Sequence, residues 1–165
     1  MEKRKKYVAY GSNLNLGQMA GRCPTAKVVG KGEIKDHELL FRGGRRGAVA
    51  TVEPKAGASV PVLIWEIGEE DERRLDAYEG YPRLYGKQDL KIQTEDGCES
   101  IMAYVMNEGP DMGMPSKEYL DTIAQGYLEA GFDMNILLGS VEQCREAGQE
   151  CRKMEDEGCH HQLWQ

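Results

Sequence analysis

Short apolar runs separated by polar residues dominate the first two thirds of the chain, and this pattern predicts a series of β-strands. The first run, Tyr7–Tyr10, is compact and is ended by Gly11, as expected of a buried strand. A loop is predicted over residues 43–47, where glycine and arginine replace apolar residues. The further predicted strands cover residues 26–29, 39–41, 48–52, 60–67, 85–94 and 100–106, and the last two are joined by a turn at 95–97.

Four helices are predicted between and after these strands. Ser12 or Asn13 can cap the first helix, and Ser116 can cap the third. The second begins with four acidic residues, which suit the positive end of the helix dipole. Their predicted ranges are 14–22, 69 to 78 or 79, 116–130, and 135 to about 154.

The 165 residues contain no repeat and no linker-like stretch, so we expect one domain. Hydrophobic residues make up 40% of the chain before its 20 glycines are counted, which excludes a disordered polymer. The domain is predicted over residues 1–150. Residues 151–165 form a polar C-terminal tail that we expect to fray.

Charge and cysteine content narrow the possible partners and the location. The net charge of −7 argues against nucleic-acid or anionic-membrane binding, because both need a basic face. The longest strongly apolar stretch, residues 60–65, is too short to cross a bilayer. Five cysteines without disulfide-like spacing indicate reduced thiols. We therefore expect a cytoplasmic protein that binds neither nucleic acid nor membrane.

The segment Tyr10–Leu14 places a strand end, a glycine, two short polar residues and a helix start within five positions. Several backbone N–H groups lack partners at such a junction, and they can hold a carboxylate or phosphate. The alternative is an ordinary turn with a helix cap, which is the commoner use of this spacing.

The end of the second predicted helix holds a carboxylate of interest. Glu79 lies four residues after Leu75, so the two share a helical face, and an inward Leu75 turns Glu79 inward too. Burial and the negative end of the helix dipole would both raise the pKa of Glu79, which suits a proton shuttle near neutral pH. The alternative, favoured by composition alone, is one more solvated acid in a Glu-rich helix.

Two other groups carry less chemistry. The loop of residues 43–47 has no phosphate-binding glycine pattern, so a flexible hairpin loop is the better interpretation. The C-terminal part contains cysteine and histidine residues, which are zinc-ligand types, but no C-x-x-C pair, so we expect no metal site there. These residues are Cys144, Cys151, Cys159, His160 and His161.

Taken together, the segments resemble the γ-glutamylcyclotransferase superfamily from about residue 7 to residue 141. In chain order they are similar to its substrate loop, a strand, its catalytic segment, and a proline–serine–tyrosine element before a helix. The resemblance rests on Tyr10-Gly11-Ser12-Asn13-Leu14, residues 47–52, Leu75-Asp76 with Glu79-Gly80, and Pro115-Ser116-Lys117-Glu118-Tyr119.

The resemblance implies an α+β fold, with a small mixed or antiparallel β-barrel, flanking helices and a pocket at one barrel end. It also implies release of 5-oxoproline from a γ-glutamyl amino acid or amine, with Glu79 as the general acid/base. No cofactor is expected, because the nucleophile and the electrophile belong to one molecule. The substrate-binding residues implied are Tyr7, Tyr10, Gly11, Ser12, Asn13, Leu14, Tyr85 and Tyr119.

The leaving group and the oligomeric state stay open. The compact, proline-containing segment 79–85 resembles the branch that acts on γ-glutamylamines, whereas residues 115–119 resemble the branch that acts on γ-glutamyl amino acids. The alternative function is a non-catalytic module that keeps the same pocket for a small carboxylate ligand.

Overall fold

The computed structural model describes the backbone of residues 3–44 and 47–162, and the side chains of this part as far as Glu150. Arg45 and Arg46 of the predicted loop lie outside the described residues. The elements are β1 (Lys5–Ala9), a 3-10 turn (Ser12–Leu14), α1 (Leu16–Arg22), β2 (Lys27–Arg42), β3 (Val49–Ile67), α2 (Glu69–Glu79), β4 (Tyr85–Thr94), β5 (Gly97–Met106), α3 (Lys117–Ala130) and α4 (Met134–Gln162).

Five strands close into a barrel in the order β1-β3-β2-β4-β5. The closing pair, β1 with β5, is parallel at Tyr7 and Met102, whereas the other pairs are antiparallel. Fully buried side chains such as Val8, Phe41 and Ile92 belong to the core. The α+β class and the mixed barrel with flanking helices are therefore confirmed.

Strands β2 and β3 are each longer than the apolar pattern predicts. β2 joins the two predicted strands 26–29 and 39–41, and β3 joins 48–52 and 60–67. The middle of each strand is polar, since many of its side chains face solvent. Backbone pairing between β2 and β3 nevertheless continues through it. The pairing register shifts between Lys35 and His37, where Asp36 has φ of +55°, so the hairpin bends there.

The segment after β1 differs from the predicted helix of residues 14–22. It forms a 3-10 turn and then a separate α1, whose N-cap is Asn15 and not Ser12 or Asn13. The Asn15 side chain accepts a hydrogen bond from the backbone N–H of Gln18 at 3.0 Å. This earlier turn frees the Ser12 and Asn13 side chains to make other contacts.

Helices α2 and α3 begin and end close to the predicted positions. Gly80 ends α2 with φ of +67°, and Gly131 ends α3 with φ of +74°, a backbone region in which glycine is favoured. Ser116 caps α3 by accepting a hydrogen bond from the N–H of Tyr119. The hairpin of β4 and β5 turns where predicted, although β5 starts at Gly97 and not at residue 100.

Helix α4 continues to Gln162, past the predicted end near residue 154. It packs on β2 through buried Leu137, Val141 and Cys144, and the Ser140 hydroxyl donates to the Leu39 carbonyl at 2.6 Å. Its backbone is helical across residue 150, and the division into a domain of residues 1–150 and a tail stays a prediction. Within the described ranges, none of the helices combines the length and the apolar character that crossing a bilayer requires.

Candidate active site

A small pocket opens at the barrel end where β1 and β5 finish and where β3 and β4 begin. The end of α2 and the first turn of α3 also reach it. Of the nine residues assigned to the site from sequence, eight line this pocket and Leu14 does not. The lining residues are Tyr7, Val8, Tyr10, Gly11, Ser12, Asn13, Ala50, Glu79, Tyr85, Tyr104 and Tyr119.

The turn that follows β1 passes unusually close to β3. A Cβ atom on Gly11 would lie 3.1 Å from the Cβ of Ala50 and 3.6 Å from the Tyr119 hydroxyl, so this approach favours a glycine. The N–H of Leu14 donates to the Gly11 carbonyl at 3.0 Å. Within the part of the chain that the structure describes, the N–H groups of Gly11, Ser12 and Asn13 have no backbone partner. The turn therefore offers hydrogen-bond donors at the pocket wall.

The side chains of this turn are fixed by hydrogen bonds. The Asn13 amide donates to the Tyr7 hydroxyl at 2.9 Å, and its carbonyl oxygen accepts a hydrogen bond from Arg22. The Ser12 hydroxyl is bonded to the Tyr78 hydroxyl at 3.0 Å. Both turn residues are buried, so these partners hold polar groups that water does not reach freely.

Leu14 lies in the core and not in the pocket wall. Its side chain is fully buried, and α3 crosses directly over it at Gly126. A Cβ atom on Gly126 would lie 2.6 Å from the Cβ of Leu14, which is closer than packed carbons approach. Leu14 thus anchors the turn beneath α3, and its position fits packing instead of substrate contact.

Glu79 is the last residue of α2, and its side chain lines the pocket. Leu75, one turn earlier on the same face, is fully buried. Burial raises the pKa of the Glu79 carboxyl from 4.5 to about 7, and the nearby Arg22 guanidinium opposes this shift. No hydrogen bond or ion pair holds this carboxyl among the described residues. Glu79 therefore has a carboxyl that is free to exchange a proton near neutral pH.

Three pocket tyrosines use their hydroxyls to hold the backbone. Tyr85 donates to the Ala50 carbonyl at 2.5 Å, and Tyr119 accepts from the Ala50 N–H at 3.0 Å. Tyr10 donates to the Tyr104 carbonyl at 2.5 Å. Burial raises the pKa of all three phenols, which keeps them neutral. Tyr85 and Tyr119, two of the implied substrate-binding residues, thus both have their hydroxyls bonded to the backbone of Ala50.

Val8, Ala50 and Tyr104 also line the pocket, although the sequence reasoning did not assign them to the site. The Tyr104 hydroxyl donates to Asp76 at 2.5 Å, and Asp76 pairs with Lys87 at 2.9 Å. In the sequence, Ala50 is only a small residue in a predicted strand. Tyr104 meets Asp76, which lies 28 positions earlier in the chain. Neither could be derived from local spacing.

Glu79 is the one formally charged side chain among the residues that line the pocket. Across the described part of the chain, the His, Cys, Asp and Glu side chains form no group of three or more that could hold a metal ion. Five cysteine and histidine residues of the C-terminal part were considered above as possible metal ligands. Cys144 is buried, and the side chains of Cys151, Cys159, His160 and His161 lie outside the described residues.

Residues 7–127 match the family described as "Gamma-glutamyl cyclotransferase, AIG2-like". The chain belongs to this family. The matched range includes the turn of residues 10–14, Glu79 and every other residue that lines the pocket. The family resemblance found in the sequence is therefore confirmed.

Curated relatives and solved structures agree with membership of the cyclotransferase family. The chain is 25% identical to the human protein named gamma-glutamylcyclotransferase over 160 residues, which covers 91% of this chain and 85% of the relative. The mouse protein of the same name is 26% identical over the same coverage. A solved structure titled "Gamma-glutamyl cyclotransferase" superimposes with a TM-score of 0.74 at 24% identity, covering 87% of both chains. This last likeness concerns the fold.

Proposed function

We propose that this protein is a γ-glutamyl cyclotransferase that releases 5-oxoproline from a γ-glutamyl amino acid or amine, with Glu79 as the general acid/base. The observation that carries the proposal is the free Glu79 carboxyl, with its pKa of about 7, in the same pocket as the donors of residues 11–13. Family membership and the names of the relatives support the same reaction class.

In the proposed reaction, the N–H groups of residues 11–13 hold the α-carboxylate of the substrate, and the Glu79 carboxylate accepts a proton from its α-ammonium group. The freed amine attacks the γ-carbonyl carbon of the same molecule. The γ-amide C–N bond then breaks as Glu79 gives its proton to the departing nitrogen. Glu79 passes the second proton of the attacking nitrogen to the departing amine in the same way, so the ammonium nitrogen loses two protons, the departing amine gains two, and water is neither consumed nor released.

A nearly neutral carboxyl suits this double role. A carboxyl with a pKa of about 7 is present in both protonation states near neutral pH, so it can accept a proton in one step and donate it in the next. Nucleophile and electrophile already share one molecule, and holding them in a folded geometry lowers the barrier by several kcal/mol. The reaction as proposed needs no cofactor.

The direct test is an assay for 5-oxoproline with γ-glutamyl-alanine and Nε-(γ-glutamyl)-lysine as substrates. We expect turnover by the wild type and a loss of at least about 100-fold in kcat for Glu79→Gln and Glu79→Ala, because general acid–base catalysis contributes about 10²–10⁴-fold. Glu70→Gln is the matched control, since Glu70 lies on α2 in exposed ion pairs with Arg73 and Arg74.

Two outcomes would contradict the proposal. Undiminished turnover in Glu79→Gln would remove Glu79 from the mechanism. If γ-glutamyl compounds raise the melting temperature of the wild type but none is converted, the protein is instead the carboxylate-binding module considered above.

We also propose that the protein acts on this small-molecule substrate in the cytoplasm. The support is chemical: Cys23 and Cys144 are buried free thiols, and Cys98 is an exposed one. Reduced thiols of this kind are typical of a reducing compartment.

A further inference from the structure

Arg22, the last residue of α1, connects two parts of the molecule that meet at the pocket. One guanidinium nitrogen donates to the side-chain carbonyl of Asn13, and the other donates to Gln18 at 3.0 Å. The guanidinium carbon also lies 3.4 Å from the centre of the Tyr78 ring, so the group is stacked on that ring. Arg22 therefore contacts both the turn of residues 11–13 and the last turn of α2.

Two further hydrogen bonds hold the residues that Arg22 contacts. Tyr78 is bonded to Ser12 at 3.0 Å, and Asn13 is bonded to Tyr7 at 2.9 Å. Tyr78 directly precedes Glu79, so fixing its ring also fixes the helix end that carries the catalytic carboxyl. Arg22 itself does not line the pocket.

The charge of Arg22 is not neutralised by a carboxylate within hydrogen-bonding distance. It makes none of the ion pairs found among the described residues, and Glu79 feels its charge. Among the groups around the Glu79 carboxyl are four phenols, whose pKa values are raised by burial and by the Glu79 charge, so they stay neutral: Tyr7, Tyr10, Tyr85 and Tyr119.

We propose that Arg22 is a positioning residue that ties the turn of residues 11–13 to the C-terminal end of α2 and thereby fixes the anion site relative to the Glu79 carboxyl. This inference rests on the proposed cyclotransferase function. Arg22 acts through Asn13 and Tyr78 and, over a longer distance, through its charge on Glu79.

A lysine could supply only part of this role. The planar guanidinium stacks on Tyr78 and donates to two acceptors at once, whereas an ammonium group is a compact charge on a flexible stem. Arg22→Lys therefore separates the positioning role from the charge, and Arg22→Gln removes both the stacking cation and the charge.

The test measures kcat/KM for γ-glutamyl-alanine against pH in the wild type, Arg22→Lys and Arg22→Gln, with melting temperatures recorded alongside. We expect kcat/KM to fall about tenfold or more in both variants, because a charge-assisted hydrogen bond and a stacked cation are lost. The acidic limb of the profile should stay near pH 7 in Arg22→Lys and move to higher pH in Arg22→Gln, since the cation favours the Glu79 carboxylate.

Arg73→Gln is the matched control, because Arg73 is an exposed arginine on α2 that pairs with Glu70 at 3.0 Å. It should leave both kcat/KM and the acidic limb unchanged. A further check combines Arg22→Gln with Asn13→Ala: if Arg22 acts through Asn13, the double variant should lose scarcely more activity than the worse single variant.

Wild-type kcat/KM in Arg22→Lys would overturn the proposal, as would an unmoved acidic limb in a folded Arg22→Gln. If Arg22→Gln fails to fold, Arg22→Lys decides by itself. Carbon-13 NMR titration of the Glu79 carboxyl needs no turnover: an upward pKa shift in Arg22→Gln supports the influence of the Arg22 charge on Glu79 even if the wild type releases no 5-oxoproline. That last result would reject the proposed function and not the influence of Arg22 on Glu79.

Discussion

In the proposed mechanism, the demands of stability and of chemistry oppose each other at one side chain, Glu79. Its pKa is about 7 in the folded protein and 4.5 in an ordinary setting, so between these pH values the folded state binds more protons than the unfolded chain. Its contribution to stability is therefore complete below about pH 4.5 and is lost as the pH rises through about 7. Above about pH 7, the folded protein carries the Glu79 carboxylate in a partly desolvated position, which costs stability.

We accordingly predict that Glu79→Gln stabilises the protein in a pH-dependent way. At pH 8 the free energy of unfolding should rise by about 2 kcal/mol, which is the pKa difference converted to energy and reduced for the partial exposure of the carboxyl. At pH 5 the change should be small. Urea unfolding at the two pH values measures it, with the exposed Glu70→Gln as a control expected to stay within about 0.5 kcal/mol.

An equal gain at both pH values would contradict this account, because it would point to packing and not to charge burial. A loss of activity together with a gain of stability at pH 8 is the combination that an active-site carboxyl in a desolvated position should give.

The sequence indicates some site residues because their signals are local. Glycine and short polar residues after a strand mark the turn, and the four-residue spacing from Leu75 turns Glu79 inward. Tyr104 with Asp76 and Arg22 with Tyr78 carry no such signal, since each pair is brought together only by the tertiary fold. These two contacts could therefore be recognised only in the folded structure.

At the level of elements, the crossing of α3 over the turn after β1 depends on one missing side chain. Gly126 lies inside α3, where alanine is intrinsically preferred by about 1 kcal/mol. A Cβ atom there would, however, meet the Leu14 side chain at 2.6 Å and the Leu14 carbonyl carbon at 2.8 Å. Backbone cannot yield as a flexible side chain can, so the clash should outweigh the helical preference.

We predict that Gly126→Ala lowers the free energy of unfolding by about 1–3 kcal/mol, as overpacking in a core does, and reduces 5-oxoproline release by displacing the turn. Gly139→Ala in α4 is the control, because a Cβ atom there meets nothing within 4 Å. It should stabilise by about 0.5–1 kcal/mol. Denaturant unfolding of both variants checks the pair, and a stabilising Gly126→Ala would contradict the close approach.

Helix ends could be predicted because capping residues mark them in the sequence. The extent of β2 and β3 could not, because backbone hydrogen bonds and not buried side chains hold their middle parts. The ends of α2 and α3 carry clear glycine signals at Gly80 and Gly131. The polar middles of β2 and β3 carry no apolar alternation, because hydrogen bonds between the two strands hold them in a long hairpin. The cap of α1 was misplaced because three residues able to cap a helix, Ser12, Asn13 and Asn15, lie within four positions of one another.

At the scale of the whole molecule, closure of the barrel brings the pocket together. Ala50 on β3 is held from both sides, since its carbonyl accepts from Tyr85 on β4 and its N–H donates to Tyr119 on α3. The parallel contact between β1 and β5 then sets the turn opposite these strands. Hydrophobic pattern predicts strands but not which of them pair, so the resemblance to a family, and not the periodicity, supplied the barrel.

The extent of the folding unit is a whole-molecule question that α4 can answer. As far as the side chains of α4 are described, to Glu150, its buried residues, which include Leu137, Val141 and Cys144, all lie before residue 145. A chain ending at Glu150 should therefore keep its melting temperature within a few degrees and still release 5-oxoproline. A chain ending at Asp133 should not fold, because uncovering three apolar side chains costs about 5 kcal/mol, comparable to the stability of a whole domain. Thermal melting followed by circular dichroism measures the stability of both chains. An unfolded 1–150 chain would show that the domain extends beyond residue 150.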